Sequence, residues 1–285
     1  MKIPKRIRPL VENGLVDEVI RPLMSGKEAD VFIVRCGSEI RCAKIYKEAE
    51  KRAFKQAVTY QEGRKVRNSR RARAMEKSSR FGREQQEEVW QSAEVSALYK
   101  LADIGVRVPK PYGCFDGVLL MELITYGGEE VAPRLNDISM TKEQALMDHK
   151  TLMHDVMRML CAGLVHGDLS EFNVLIDDNG PVIIDLPQAV DAAANNNAQS
   201  MHRRDVENIT NYYAQYAPEL SNSHYAPEMW ALFEAGDLQP TTELTGQFEE
   251  STESADVDTV LEEIKQAFIE EQNRLERIRE AETAG

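Results

Sequence analysis

No stretch of the 285-residue chain approaches the roughly 18 consecutive apolar residues of a membrane span, and the N-terminus carries no signal-peptide-like apolar run. A cytoplasmic protein without a membrane partner is expected. Cysteine is sparse: Cys36, Cys42, Cys114 and Cys161 are scattered, without Cys-x-x-Cys or any other metal-ligand spacing. Reduced, buried thiols are expected. There is no internal repeat. A net charge of −13 argues against wholesale nucleic-acid binding. Hydrophobic content of 42% with 29% charged residues suits a globular protein of one large domain, or two modest lobes around a shared cleft.

Charge is unevenly placed. Residues 47–83 hold thirteen Lys/Arg and four Asp/Glu, a local net of +9, whereas residues 243–285 hold four and thirteen, a net of −9. Either run alone reads as a solvated helix face. Opposite blocks in one chain also suit intramolecular docking, or capture of the basic block by an anionic partner. The stretch 64–73 has few large apolar residues and is expected to be mobile unless bound.

Apolar spacing predicts a helix over Leu10–Val19 ended by Pro22, and strands at Ala29–Arg35 and Glu39–Tyr46 around the turn Cys36-Gly37-Ser38. A long helix over Gln85–Ile104 should stop at Gly105, and a strand at Val118–Leu123 should lead into a linker at Ile124–Gly128. Further on come a helix over Thr141–Ala162, short strands at Asn173–Ile176 and Val182–Ile184, and helices over His202–Tyr216 and Tyr225–Ala235. Residues 237–256 read as a polar linker. Val257, Val260, Leu261, Ile264, Phe268, Leu275 and Ile278 then form one helical stripe that needs a partner surface. The expected organisation is an N-terminal helical extension (1–22), a small β-rich lobe (23–124) carrying the basic insertion, a larger helical lobe (125–236), and an acidic linker with an amphipathic tail helix (237–285).

The chemistry is concentrated in His166-Gly167-Asp168-Leu169-Ser170-Glu171-Phe172-Asn173, followed by Val182-Ile183-Ile184-Asp185. A carboxylate, an amide five positions on and a second carboxylate twelve residues later suit phosphoryl transfer. Asp168 can orient or deprotonate an acceptor hydroxyl, while Asn173 and Asp185 can hold Mg²⁺ against ATP phosphates. Lys44, in the apolar run Ala43-Lys44-Ile45, supplies a positive partner and needs a carboxylate of its own if buried. Gly26 accepts backbone conformations that let main-chain N–H groups approach phosphate oxygens. The order of glycine turn, strand lysine, helix glutamate, linker, Asp…Asn and Asp is that of the protein-kinase-like fold, an α+β, bilobal architecture with a small β-rich lobe and a helical one.

The wording of the motifs is more specific. Ser25-Gly26-Lys27-Glu28-Ala29-Asp30-Val31-Phe32, Cys42-Ala43-Lys44-Ile45-Tyr46-Lys47, the 166–173 octapeptide and Ile184-Asp185-Leu186-Pro187-Gln188-Ala189-Val190 resemble the RIO family of atypical serine/threonine protein kinases. Its type-one branch and bacterial members are nearest, over about residues 10–220. The Gly-x-Gly-x-x-Gly of standard protein kinases is absent, as in that family. The resemblance implies phosphate contacts from Ser25, Gly26 and Lys27, and a lysine-pairing glutamate at Glu94, with Glu87 and Glu88 as competitors. Met121, Glu122 and Ile124 are expected to line an adenine slot through backbone hydrogen bonds. The implied cofactors are ATP and Mg²⁺, for which Mn²⁺ could stand in.

Two cycles fit the resemblance: an autophosphorylating serine/threonine kinase acting on a protein acceptor or on itself, and an ATPase in which Asp185 is itself phosphorylated. Ribosome assembly is the context it implies, with ribosomal RNA or a ribosome precursor engaged through residues 47–83. Alternatives are a small-molecule phosphotransferase of the aminoglycoside/choline type and an ATP-gated RNA- or ribosome-binding factor. His166 is expected to pack beneath the catalytic loop. Gly167 stands where regulated kinases carry an arginine, so activity without activation-loop phosphorylation is expected. The Tyr-Ala-Pro-Glu stretches at Tyr216 and Tyr225 follow a segment whose Asp205 would brace the catalytic loop, and so are not read as activation-segment ends.

Overall fold

In a computed structural model, residues 3–26, 29–47, 93–128 and 130–248 are described. The basic run beyond Lys47, Lys27 and the tail stripe lie outside them. Among the described residues the elements are α1 (Arg8–Glu12), β1 (Glu18–Ser25), β2 (Ala29–Cys36), β3 (Glu39–Tyr46), α2 (residues 93–103), β4 (Pro111–Phe115), β5 (Val118–Glu122), β6 (Thr125–Tyr126) and β7 (Glu130–Val131). There follow α3 (Lys142–Cys161), β8 (Leu164–Val165), β9 (Val174–Asp177), β10 (Gly180–Ile183), β11 (Val190–Asp191), α4 (Ala198–Ala214) and α5 (Tyr225–Ala235).

The first five strands form one antiparallel sheet in the order β1-β2-β3-β5-β4. Strand β3 is central, and its alternation decides what the sheet can do. Ala43 and Ile45 pack with Ile7, Leu10, Val16, Val19, Val34, Val118 and Leu120 on one side. Lys44 and Tyr46 take the opposite parity, and Tyr46 joins the main core. That core centres on α3, whose N-terminus is capped by Thr141 accepting from the Gln144 N–H at 3.2 Å. Leu152, Met153, Val156, Met157, Met159 and Leu160 of α3 are buried against residues of α4 and α5.

Several sequence expectations need correction. The helix expected over Leu10–Val19 ends at Glu12, and β1 begins at Glu18. Gly14, at φ +69°, breaks the helix, and the β-branched Val16 and Val19 bury instead against the sheet. Pro22 stops nothing: it sits within β1, an edge strand with register shifts on both sides of it, where a missing N–H is tolerated. Strand β4, unforeseen, is the other edge. It bulges at Gly113, where φ is +152° and an added Cβ would lie 2.6 Å from the Phe115 ring. The linker at Ile124–Gly128 contains β6, which pairs with β7. All four cysteines are free, but only Cys42 is buried, and Cys114 on the β4 edge is exposed.

The segment after α2 is tied to the β9–β10 hairpin. Arg107 donates to both carboxylate oxygens of Asp177, at 2.8 and 2.6 Å, and to the Pro181 carbonyl at 3.1 Å, while its own carbonyl accepts from the Ile183 N–H at 2.8 Å. This fixes the hairpin that leads to Asp185.

Two imidazoles are buried within the helical core: His149, whose Nε2 lies 2.9 Å from Thr210 Oγ1, and His202. Burial lowers the pKa of each to about 4. The unfolded chain therefore binds more protons at these sites than the folded one between about pH 6.5 and pH 4. Their contribution is complete above that interval and is lost on acidification. Asp155 and Asp205, pushed up by burial to about 6 and about 7, act with the opposite sign over much of the same range. His149→Gln should therefore lose about 2 kcal/mol less stability than the parent between pH 7 and pH 5. Urea unfolding at the two pH values measures this, and identical losses in both proteins would contradict it.

Candidate active site

Lys44 lies between two carboxylates. Its ammonium Nζ is 2.6 Å from Glu94 Oε1 and 2.8 Å from Asp185 Oδ1. Lys44 and Glu94 are only 7% and 2% exposed, whereas the Asp185 side chain is 45% exposed. Burial alone would lower the Lys44 pKa, but the charges and hydrogen bonds of Glu94 and Asp185 outweigh it and raise it. The surrounding protein opposes ionisation of Asp185, and Lys44 overcomes this, holding the carboxyl below its ordinary range.

Tyr46 completes the group. It shares the Lys44 face of β3 and donates its hydroxyl to Glu94 Oε2 at 2.5 Å, so both glutamate oxygens are engaged. Sequence reasoning gave Tyr46 no role, although its two-residue spacing from Lys44 in a strand was a usable signal.

Asp168 and Asn173 lie in one tight loop. Asn173 donates its side-chain amide to the Asp168 carbonyl at 2.8 Å, and its own carbonyl accepts from the Ile184 N–H at 3.0 Å. The loop is thereby stitched to the residue before Asp185. His166 is buried, with Nε2 3.0 Å from the Ile184 carbonyl oxygen, an arrangement that packs it under the loop. Gly167 has φ +83°, a backbone region that an arginine there would enter only with strain. Asp205 of α4 accepts from the N–H groups of Gly167 at 2.7 Å and Leu169 at 3.0 Å, while Arg204 donates to the Gly167 carbonyl.

Asp168 is exposed, and partial burial followed by the nearby Asp185 charge raises its pKa against the pull of Arg204. One of its oxygens accepts from Gln188 Nε2 at 3.3 Å. Gln188 was visible in the Ile-Asp-Leu-Pro-Gln stretch without an assigned role. Asp185 has φ +67°, one of two non-glycine residues with positive φ among those described. That conformation costs about 1 kcal/mol for an aspartate, which the Lys44 pairing offsets.

At the β1–β2 turn, Ser25 donates its hydroxyl to Asp30 Oδ1 at 2.6 Å, and the Gly26 N–H donates to the Ala29 carbonyl at 2.9 Å. Lys47 Nζ donates to the Gly26 carbonyl at 2.6 Å and to Ser25 Oγ at 3.2 Å. Met121 and Glu122 are paired with β3 at the end of β5, and the Glu122 N–H is already engaged with the Lys110 carbonyl at 2.9 Å. Ile124 is buried. Its carbonyl accepts from the Ala132 N–H, but its own N–H has no hydrogen-bond partner among the described residues. A buried donor left open is uncommon and suits an acceptor on a ligand.

No group of three or more His, Cys, Asp or Glu side chains capable of holding a metal exists among the described residues. One carboxylate and one amide is a donor set suited to Mg²⁺, which completes its shell with water and phosphate oxygens.

A small lobe built on a five-stranded antiparallel sheet, a helical lobe and an Asp…Asn…Asp loop facing a buried lysine define a protein-kinase-like molecule. A family model described as the RIO domain matches residues 30–226, and the chain belongs to the RIO family. It is 34% identical over 211 residues to the RIO-type serine/threonine-protein kinase Rio1 of Haloferax volcanii, covering 73% of this chain and 67% of that one. It is 28% identical over 221 residues to the serine/threonine-protein kinase RIO1 of Caenorhabditis elegans, covering 74% and 40%. The fold is similar to that of the Rio2 kinase–ADP/Mg²⁺–phosphoaspartate complex from Chaetomium thermophilum, with TM-score 0.53 and 22% identity, over 74% of this chain and 59% of that one. Among these relatives the chain thus spans from 40% to 67% of the partner's length. No helix among the described residues is long and apolar enough to cross a membrane.

Asn in place of Asp205 would turn an amide N–H₂ toward one of the two loop donors. At pH 8, where Asp205 is ionised, Asp205→Asn should destabilise the protein by about 1–3 kcal/mol. It should also abolish the hydrogen-exchange protection of the Gly167 or Leu169 amide. Unaltered protection at both amides would remove the bracing role.

Proposed function

We propose that this chain is an ATP-dependent serine/threonine protein kinase that phosphorylates itself or a protein acceptor, with Lys44, Glu94, Asp168, Asn173 and Asp185 as its working residues. The observation that carries the reading is the Lys44 ammonium held between buried Glu94 and half-exposed Asp185, beside the Asp168–Asn173 loop. Glu94, itself held by Tyr46, fixes the lysine so that its remaining donor can meet the phosphates of ATP. Asn173 and the outward oxygen of Asp185 would hold Mg²⁺, which when bound neutralises charge on the phosphates.

Asp168 orients the acceptor hydroxyl and accepts its proton as the oxygen–phosphorus bond forms and ADP leaves. Gln188 must give way to that hydroxyl if it takes the oxygen that Gln188 now occupies. Ser25 and Gly26 cover the phosphates, and Lys27, outside the described residues, is proposed to join them. The open Ile124 N–H serves the adenine edge, with the Met121 and Glu122 backbone beside it. Membership of the RIO family favours a protein acceptor over the small-molecule alternative.

A second cycle rests on the exposure of Asp185. Its carboxylate can attack the terminal phosphorus with departure of ADP, and water can then hydrolyse the acyl phosphate to inorganic phosphate and free carboxylate. The basic run of residues 47–83 suits a phosphate-rich partner such as ribosomal RNA, and such binding would weaken steeply with salt.

Asp185→Ala should abolish Mg²⁺-dependent ATP turnover and autophosphorylation while leaving a cooperative melting transition. Turnover at the parental rate would refute the site assignment. Incubation with Mg²⁺ and γ-labelled ATP separates the cycles. Label that survives acid and is released by strong base marks phosphoserine or phosphothreonine, and label released rapidly by hydroxylamine marks an aspartyl phosphate. A protein carrying neither label, and releasing no phosphate, would contradict both.

A further inference from the structure

Arg134 follows the β6–β7 hairpin, and its backbone forms an isolated antiparallel bridge with Leu175, two residues beyond Asn173. Its side chain runs from there to the opposite lobe, where Nη2 lies 2.7 Å from Met24 Sδ on β1, immediately before Ser25 and Gly26. Its charge is also felt at Asp185, where it helps hold the carboxyl low. The guanidinium thus reaches across the mouth of the cleft, from the strand that follows the catalytic loop to the turn expected to cover phosphates.

What it holds there is chemically inadequate. A thioether is a weak acceptor for a group with five strongly polarised N–H donors. The other arginines illustrate the contrast. Arg107 grips Asp177 with two bonds, Arg41 pairs with Glu39 and Arg158 with Asp155. Among the described residues Arg134 makes no ion pair, and Met24 is its one side-chain hydrogen-bond partner. It is only half-buried. A fork-shaped cation at the entrance of a cleft, resting on a sulfur it can leave at little cost, fits a planar or polyanionic ligand that arrives between the lobes.

We propose that Arg134 is a nucleotide-binding residue: its guanidinium leaves the Met24 sulfur and takes non-bridging phosphate oxygens of ATP or ADP, closing the cleft mouth over the phosphate chain. The proposal rests on the kinase reading above and adds to it a phosphate contact from the helical lobe. Recognition is of phosphate charge, so adenosine should not sense the residue.

Calorimetric titration of the full chain with Mg-ATP, Mg-ADP and adenosine tests this, alongside Arg134→Met and Arg134→Lys. Loss of charge-assisted hydrogen bonds should weaken ATP and ADP binding by about tenfold to about a hundredfold in R134M, with adenosine affinity unchanged within about twofold. R134K, which keeps the charge but not the fork, should fall between, and it decides the matter alone should R134M fail to fold. Equal weakening of adenosine and ATP would show a merely structural role and overturn the proposal, as would parental ATP affinity in the variants. A parent chain that binds adenosine but neither nucleotide would overturn the kinase reading together with this one.

Discussion

A buried ammonium between two carboxylates organises this protein. An unpaired lysine at the position of Lys44 would cost several kcal/mol, and so would an unpaired Glu94. Each is acceptable only because the other is present, and because Tyr46 occupies the remaining glutamate oxygen. The pairing joins β3, α2 and the segment after β10, three elements far apart in sequence. Asp185 is the asymmetric member of the group. It is exposed, held in a left-handed backbone conformation and shared with Lys44, so it alone can exchange its partner for an incoming cation without uncovering a buried charge.

The rest of the molecule serves that geometry. The β9–β10 hairpin delivers Asp185, and Arg107 fixes the hairpin through Asp177 and Pro181. Asp205 and Arg204 hold the backbone of Gly167, so that Asp168 projects from a braced loop. The place taken by arginine in kinases controlled through activation-loop phosphate is filled here by a left-handed glycine. That backbone is supported from within the helical core by Asp205 and Arg204. The Ala192–Asn197 stretch beyond Asp185 offers no serine or threonine.

The sequence made the chemistry more legible than the outline. Asp168, Asn173, Asp185 and Lys44 stood out because the proposed phosphoryl transfer uses those functional groups in that order, and the fold brings Lys44 against Asp185 and Asn173 against Asp168. The motif wording then identified the RIO family, which the matching domain model supports. Glu94 could not be separated from Glu87 and Glu88 by spacing alone, and tertiary pairing with Lys44 distinguishes it from any neighbour among the described residues. Edge strands were the main failure. Pro22 in β1, and Pro111 and Gly113 in β4, look like breakers locally, and only their position at the sheet margins makes them compatible with strands. Tyr46, Gln188 and Arg134 were missed for a different reason. Tyr46 offered only its two-residue spacing from Lys44, while Gln188 and Arg134 meet side chains remote in sequence, Asp168 and Met24, and no local pattern marks such a contact.

The proposed site joins Asn173 and Asp185 on one cation shared with a nucleotide, beside Lys44. Paramagnetic broadening by Mn²⁺ in the presence of ADP reads this out without relying on turnover. The backbone amides of Asn173, Ile184 and Asp185 and the Asn173 side-chain amide should broaden first, and only when ADP is present. Broadening centred on any other group, with these four signals intact at saturating Mn²⁺ and ADP, would contradict it.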